Sequence, residues 1–131
     1  MGLDNGIEVK RTPISEKIEE LQRFQCSWDK ETKFPYELAY WRKCWTVRGA
    51  IINSISGGFE DNMGADLTKE DVVRIIIALK AFNKDNWDNG LGSIWEWEEQ
   101  EEYMRKYIAN LELLLSLMDQ YDLDVYFYDS Y

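Results

Sequence analysis

Ala39-Tyr40-Trp41-Arg42-Lys43-Cys44-Trp45-Thr46-Val47-Arg48-Gly49, or AYWRKCWTVRG, sets three large aromatics and three cations into eleven residues of a chain whose net charge is −10. Wound as a helix, it throws Trp41, Trp45, Arg48, Ile52 and Ile55 onto one stripe and Arg42, Thr46, Gly49 and Asn53 onto its neighbour. Pro35 suits the first turn of such a helix, and Ser56-Gly57-Gly58 suits its end. The spacing therefore predicts one helix from Pro35 to about Ile55. That reading leaves strands only at the two ends of the chain.

The N-terminal strand is read at Gly6 to Arg11, where Ile7 and Val9 alternate with Glu8 and Lys10. Thr12-Pro13 then starts a short helix carrying Ile14, Ile18, Leu21 and Phe24 or Gln25 at helical spacing. Cys26 to Lys33 is polar and reads as loop. Beyond the second helix, Gly57 to Asp66 reads as an acidic, glycine-rich loop. Thr68-Lys69-Glu70-Asp71 has the spacing of a capping box, with Leu67 and Val72 placed as a hydrophobic staple. A third helix follows to Phe82, apolar on more than one side. After the loop Asn83 to Gly92, Ser93-Ile94-Trp95-Glu96 repeats the capping-box spacing. A long fourth helix then carries Ile94, Trp97, Met104, Ile108, Leu111, Leu115 and Met118 on one stripe, to about Tyr121. Asp124 to Tyr131 alternates Val125 and Phe127 with Tyr126 and Tyr128. Each end strand alone leaves its backbone unpaired, so the two are expected to pair. The expectation is a single α+β domain over residues 1–131, mainly helical, with four helices on a small sheet of N- and C-terminal strands, β-α-α-α-α-β.

Composition narrows the function. At 131 residues with 45% hydrophobic residues, the chain can bury one core. Its longest apolar runs are too short to span a bilayer, and the N-terminus lacks the layout of a signal peptide, so a cytoplasmic location is expected. Two cysteines, Cys26 and Cys44, without any histidine neither build a disulfide framework nor complete an ordinary zinc site, and no metal or cofactor is expected. Residues 1–56 carry nine Lys/Arg against eight Asp/Glu, whereas residues 96–131 carry two against ten. The acidity belongs to the C-terminal third, which disfavours duplex nucleic acid yet leaves room for a positive pocket near the N-terminal half. Asp85 to Glu96 superficially resembles a twelve-residue calcium loop, but Trp87 stands where an oxygen ligand should, and a plain turn is the better reading. No histidine, nucleophile elbow or phosphate loop is present, and no pair of carboxylates stands out as tuned for acid–base work. The expectation is a protein that is not an enzyme.

Arg48 is the anomaly of the opening stretch: a guanidinium on an apolar stripe must meet a carboxylate, carbonyls or a bound anion. Glu101 interrupts the apolar stripe of the fourth helix, so an Arg48–Glu101 pair is one solution and a bound phosphate the other.

Met1-Gly2-Leu3-Asp4, Tyr40-Trp41-Arg42-Lys43 and Tyr126-Phe127-Tyr128-Asp129-Ser130-Tyr131, in that order, resemble a family of small, mostly uncharacterised phage and prophage proteins. Its members begin Met-Gly-Leu-Asp, carry a Tyr-Trp-Arg-Lys helix and end in an aromatic-Ser-Ser-Trp type strand. The chain departs from that pattern at Cys44 to Arg48, where Ala-Asn-x-Ile-His is usual, and in ending Asp-Ser-Tyr. The resemblance implies a phage setting, action in the host cytoplasm, and a small protein that works by binding, including inhibition of host defence.

Two functions are expected from these residues. The first is a binding protein that sequesters a small anionic, nucleotide-like immune signal. Tyr40, Trp41, Arg42, Lys43 and Arg48 would stack a base and hold phosphates, while Asp4, Asn5 and Tyr128 add polar contacts; the alternative for Trp41 and Trp45, as aromatics at helical spacing, is packing in the core. The second is a protein-interaction module whose acidic face, Glu98, Glu99 and Glu102, occupies a basic site on a host protein. The aromatic content also suits a homo-oligomer interface.

Overall fold

The computed structural model describes residues 3–24, 34–87 and 95–131. Its elements are β1 (Asp4–Val9), a 3-10 turn (Ser15–Lys17), α1 (Glu19–Gln22), β2 (Tyr36–Arg42), α2 (Trp45–Ile52), β3 (Gly64–Asp66), α3 (Lys69–Lys80), α4 (Trp97–Gln120) and β4 (Val125–Ser130). They form an α+β domain around one antiparallel sheet of four strands in the order β2-β1-β4-β3. The two end strands pair as expected, Asp4 with Ser130 through Val9 with Val125.

The first half of the helix expected from Pro35 to Ile55 is instead the edge strand β2, and only Trp45–Ile52 is helical. Tyr, Leu and Trp suit a pleated surface, but strict alternation is broken. Ile7 pairs with Ala39 and Glu8 with Glu37, so Leu38 is an extra residue and the strand bulges there. Leu38 and Ala39 are consequently both buried in sequence, which hides the period of two. Lys43, at φ 55°, then turns the chain, and its amide donates to the Leu3 carbonyl at 2.6 Å.

The sheet also holds a strand inside the stretch read as loop. β3 pairs with β4 by placing Gly64 opposite Tyr128. Gly64 has φ +131°, and a Cβ there would lie 1.8 Å from the Phe127 carbonyl oxygen, so no side chain fits. The first helix breaks into a 3-10 turn and α1 at Ile18, whose ψ of 109° is extended. Thr12 and Ser15 cap each other, each backbone amide donating to the other's hydroxyl at 2.8 and 3.1 Å.

The capping box before α3 is present: Asp71's amide donates to Thr68 Oγ1 and Thr68's amide to Asp71 Oδ2. That of α4 falls later than expected, with Glu96 as cap and its amide donating to Glu99 Oε2 at 2.9 Å; Ser93 lies outside the described residues. Helix α4 buries Met104, Asn110, Leu111, Leu114 and Leu117, a line rotated from the expected stripe. Ile7, Val9, Ala39, Trp41, Val125 and Phe127 form the inner face of the sheet and pack with α2, α3 and α4 into one core.

The free edge of β2 is closed by side chains. The Asn110 amide donates to the Leu38 carbonyl at 2.8 Å, the Trp95 indole to the Arg42 carbonyl at 2.7 Å, and the Tyr40 backbone bonds the Tyr107 hydroxyl.

Candidate functional site

Alternation sends Asp4, Gly6 and Glu8 of β1, Glu37, Tyr40 and Arg42 of β2, and Tyr126, Tyr128 and Ser130 of β4 to the face opposite the core. A cavity of about 1020 Å³ opens where this face meets the β2 edge and α4. Glu8, Glu37, Tyr40 and Tyr128 line it from the sheet, and Lys106, Tyr107 and Asn110 from α4. Arg23 and Phe24 after α1, with Phe34 and Pro35 before β2, complete the rim.

The Tyr128 ring passes close over β1 because position 6 is glycine: a Cβ there would sit 2.3 Å from Tyr128 Cε1. From that position the Tyr128 hydroxyl donates to Glu37 Oε2 at 3.4 Å, and the Tyr40 hydroxyl donates to Asp4 Oδ1 at 2.5 Å. Glu8 and Glu37 are directly opposed across β1 and β2, an arrangement that repels. Burial first, then the neighbouring Glu37 charge, pushes Glu8 above the ordinary carboxylate range, with Lys10 opposing. Burial likewise raises Glu37, while the Tyr128 hydroxyl draws it back. Burial, then the hydrogen bond to Asp4, pushes Tyr40 up to about 12, and burial with the Glu37 charge raises Tyr128 and Tyr107 as well. Among the described residues Glu8's carboxylate has no hydrogen-bond donor, Glu37's has only the long bond from Tyr128, and neither Arg23 nor Lys106 forms an ion pair. The groove thus gathers two hydrogen-bond-accepting carboxylates, several aromatic rings and two cations, with the Arg23–Phe24 segment joined to β2 by the Glu37 amide donating to the Phe24 carbonyl at 3.4 Å.

The residues expected to form one site are distributed among three places. Tyr40 and Tyr128 line the groove, with Asp4 anchoring Tyr40. Arg42 is exposed on the sheet's outer face and Lys43 sits in the turn. Asn5, expected as a ligand contact, is buried, and Trp41 takes the core alternative, because both belong to the inner face of paired strands; Trp45, expected in the core with it, is instead exposed at the start of α2.

Arg48 does not pair with Glu101. It forms a bidentate pair with Asp129, Nε to Oδ1 at 2.8 Å and Nη2 to Oδ2 at 2.9 Å, and reaches Asp61 at 2.5 Å. Asn5 Nδ2 adds a bond to Asp129 Oδ1 at 2.6 Å, and the Asn62 amide one to Oδ2 at 2.9 Å. The guanidinium carbon lies 5.1, 5.6 and 5.3 Å from the ring centroids of Trp45, Phe59 and Tyr131. Burial pushes Asp129 up, but Arg48, the Asn62 amide and Asn5 outweigh it and hold the carboxyl below its ordinary value. This cluster ties β1, α2, the turn before β3 and β4 together. Glu101 is on the margin of α4 and pairs with Arg105 one turn on.

On the acidic face Glu98, Glu99 and Glu102 are all exposed; Glu98 forms a surface ion pair with Lys84 at 3.4 Å and Glu99 completes the capping box of α4. Most of the calcium-like loop lies outside the described residues. No described helix is long and apolar enough to cross a membrane.

Sequence reasoning missed Glu8, Glu37, Arg23, Lys106 and Tyr107. Glu8 was visible as the polar member of an alternating strand. Glu37 was obscured by the helical reading of β2, and the groove residues of α4 by the rotation of its buried line. Family models, curated proteins and solved structures were each compared with the chain, and none matches.

Proposed function

We propose that the chain is a non-enzymatic binding protein that holds a small, anionic, nucleotide-like molecule in the groove beside β2. The base lies among Tyr40, Tyr107 and Tyr128, and the phosphate points to Lys106 and Arg23. The observation that carries this reading is that one groove is lined by several aromatic rings and, among the described residues, by two carboxylates short of hydrogen-bond donors and two cations without ion pairs, a set that complements a ligand bearing N–H donors, negative charge and a planar ring. Relative to the sequence expectation, the ligand class is kept and the binding residues move. Arg48 is occupied by Asp129 and Asp61, so the phosphate falls to the cations of α4 and the α1 end.

In the phage setting implied by the resemblance, such a protein acts in the host cytoplasm by sequestering a nucleotide signal of host defence.

Thermal melts against a panel of mononucleotides, cyclic nucleotides and ADP-ribose derivatives test the reading. At a hundredfold excess over Kd, binding adds about 2.7 kcal/mol, a rise of roughly 8 °C for a chain of this size. No rise with any member of the panel refutes it.

A further inference from the structure

We propose that the groove selects a purine whose edge offers two neighbouring N–H donors, a guanine-type base, and that Glu37 is the residue that reads it. This rests on the nucleotide reading above and adds which base is bound. Ionised carboxylates only accept hydrogen bonds, and a carboxylate takes two adjacent donors in a charge-assisted, bidentate pair. Guanine presents a ring N–H beside an amino group. Adenine presents an amino group beside a bare ring nitrogen, whose lone pair would face the carboxylate.

Glu37 is suited to this task by position. It stands on the bulged edge strand with the Tyr128 hydroxyl at 3.4 Å as its one hydrogen-bond donor among the described residues. Glu8, its cross-strand partner, offers a further acceptor on the same face. Tyr128, seated over Gly6 and lining the cavity, provides a ring for the base to stack on. Lys106 lines the same cavity from α4 and forms no ion pair with Glu37 or Glu8 among the described residues, which leaves it for a phosphate.

Titration calorimetry on the full chain with GMP, IMP, AMP and guanosine tests the inference. GMP should bind at least about tenfold more tightly than AMP, with IMP, which keeps the ring N–H and lacks the amino group, between them. Glu37→Gln replaces an acceptor pair with an acceptor and a donor, the pattern that adenine complements, so the GMP-to-AMP preference should narrow to near unity or reverse. Lys106→Ala should weaken GMP and leave guanosine unchanged, which separates loss of the phosphate contact from misfolding. AMP binding as tightly as GMP, or Glu37→Gln weakening both equally, overturns the base assignment while the nucleotide reading stands. Binding of neither GMP nor AMP overturns the base assignment, and the nucleotide reading falls with it when no member of the wider panel raises the melting temperature.

Discussion

Arg48→Met tests the pairing around which the sheet and α2 are joined. The Arg48 side chain is 14% exposed and that of Asp129 0%, so the substitution leaves a carboxylate inside the protein with two of its four hydrogen bonds, those from Asn5 and the Asn62 amide. Removing one partner of a buried ion pair costs about 3–5 kcal/mol. The two surviving donors place this case at the lower end, about 3 kcal/mol at pH 7, or a fall in Tm of roughly 9 °C. The Asp61 contact adds little, since Asp61 is mostly exposed and such pairs are worth at most about 1 kcal/mol.

The pH dependence fixes the mechanism. In the native protein Asp129 is held below its ordinary value, so its contribution is present above the unfolded pKa and is lost as pH falls through the folded one. Without Arg48 the burial that opposes ionisation dominates, and the folded pKa rises above the unfolded one. The variant's deficit should therefore shrink as pH falls from 7 toward about 4, where a neutral Asp129 is tolerated. Urea unfolding of the native chain, Arg48→Met, Asp129→Asn and the double variant at the two pH values measures this. The double variant should be less destabilised than the sum of the singles by about 2 kcal/mol. A deficit under about 1 kcal/mol, or one independent of pH, refutes the assignment. Glu101→Gln serves as the control and should leave stability within about 0.5 kcal/mol of the native chain.

Gly6→Ala drives a Cβ to 2.3 Å from Tyr128 Cε1, so the ring must leave its seat; thermal melts should show a loss of about 1–3 kcal/mol and a smaller rise with any groove ligand. Asp71 is opposed by burial, but backbone bonds from Thr68 and Ser56 and the Arg74 contact hold its pKa at about 2. Its contribution, roughly 2 kcal/mol, is present above about pH 4 and lost as pH falls through about 2, so Asp71→Asn should flatten the acid limb of the stability curve. Tyr107→Phe removes the hydroxyl that meets the Tyr40 backbone. Hydrogen exchange at the Tyr40 amide should then accelerate at least tenfold, while exchange at Ile7 in β1 stays unchanged.

What the sequence disclosed was the local chemistry that does not depend on tertiary partners. Thr68 and Asp71 cap α3 because hydroxyl and carboxylate three residues apart satisfy helix-end amides in any context. Val125 to Ser130 and Ile7 to Val9 alternate cleanly, and their pairing follows from two unsatisfied backbones. Tyr36 to Arg42 failed both tests because the bulge at Leu38 shifts the alternation by one, and because Trp41, Trp45 and Arg48 fall at helical spacing across a strand, a turn and a helix. That error also lost the site. With Glu37 and Tyr40 placed on a helix, no cross-strand pair with Glu8 could be seen, and Arg48 seemed to belong with Tyr40. Asp129 was likewise illegible as Arg48's partner, since 81 residues separate them and only the sheet register brings them together.

The closure of the β2 edge and the shape of the groove have the same cause. An edge strand of seven residues invites pairing with another chain, and here its outward groups at Leu38, Tyr40 and Arg42 are met by Asn110, Tyr107 and Trp95. Asn110 and Tyr107 are also the α4 wall of the groove. Moving α4 away from the sheet to admit a ligand would strip hydrogen bonds from the edge, each loss leaving a polar group unsatisfied at about 1–3 kcal/mol. The wall is therefore held at a fixed distance from Glu37 and Tyr128 before any ligand arrives. A ligand of the proposed kind would then cost little conformational entropy on binding, because the side chains that protect the edge also set the groove's width.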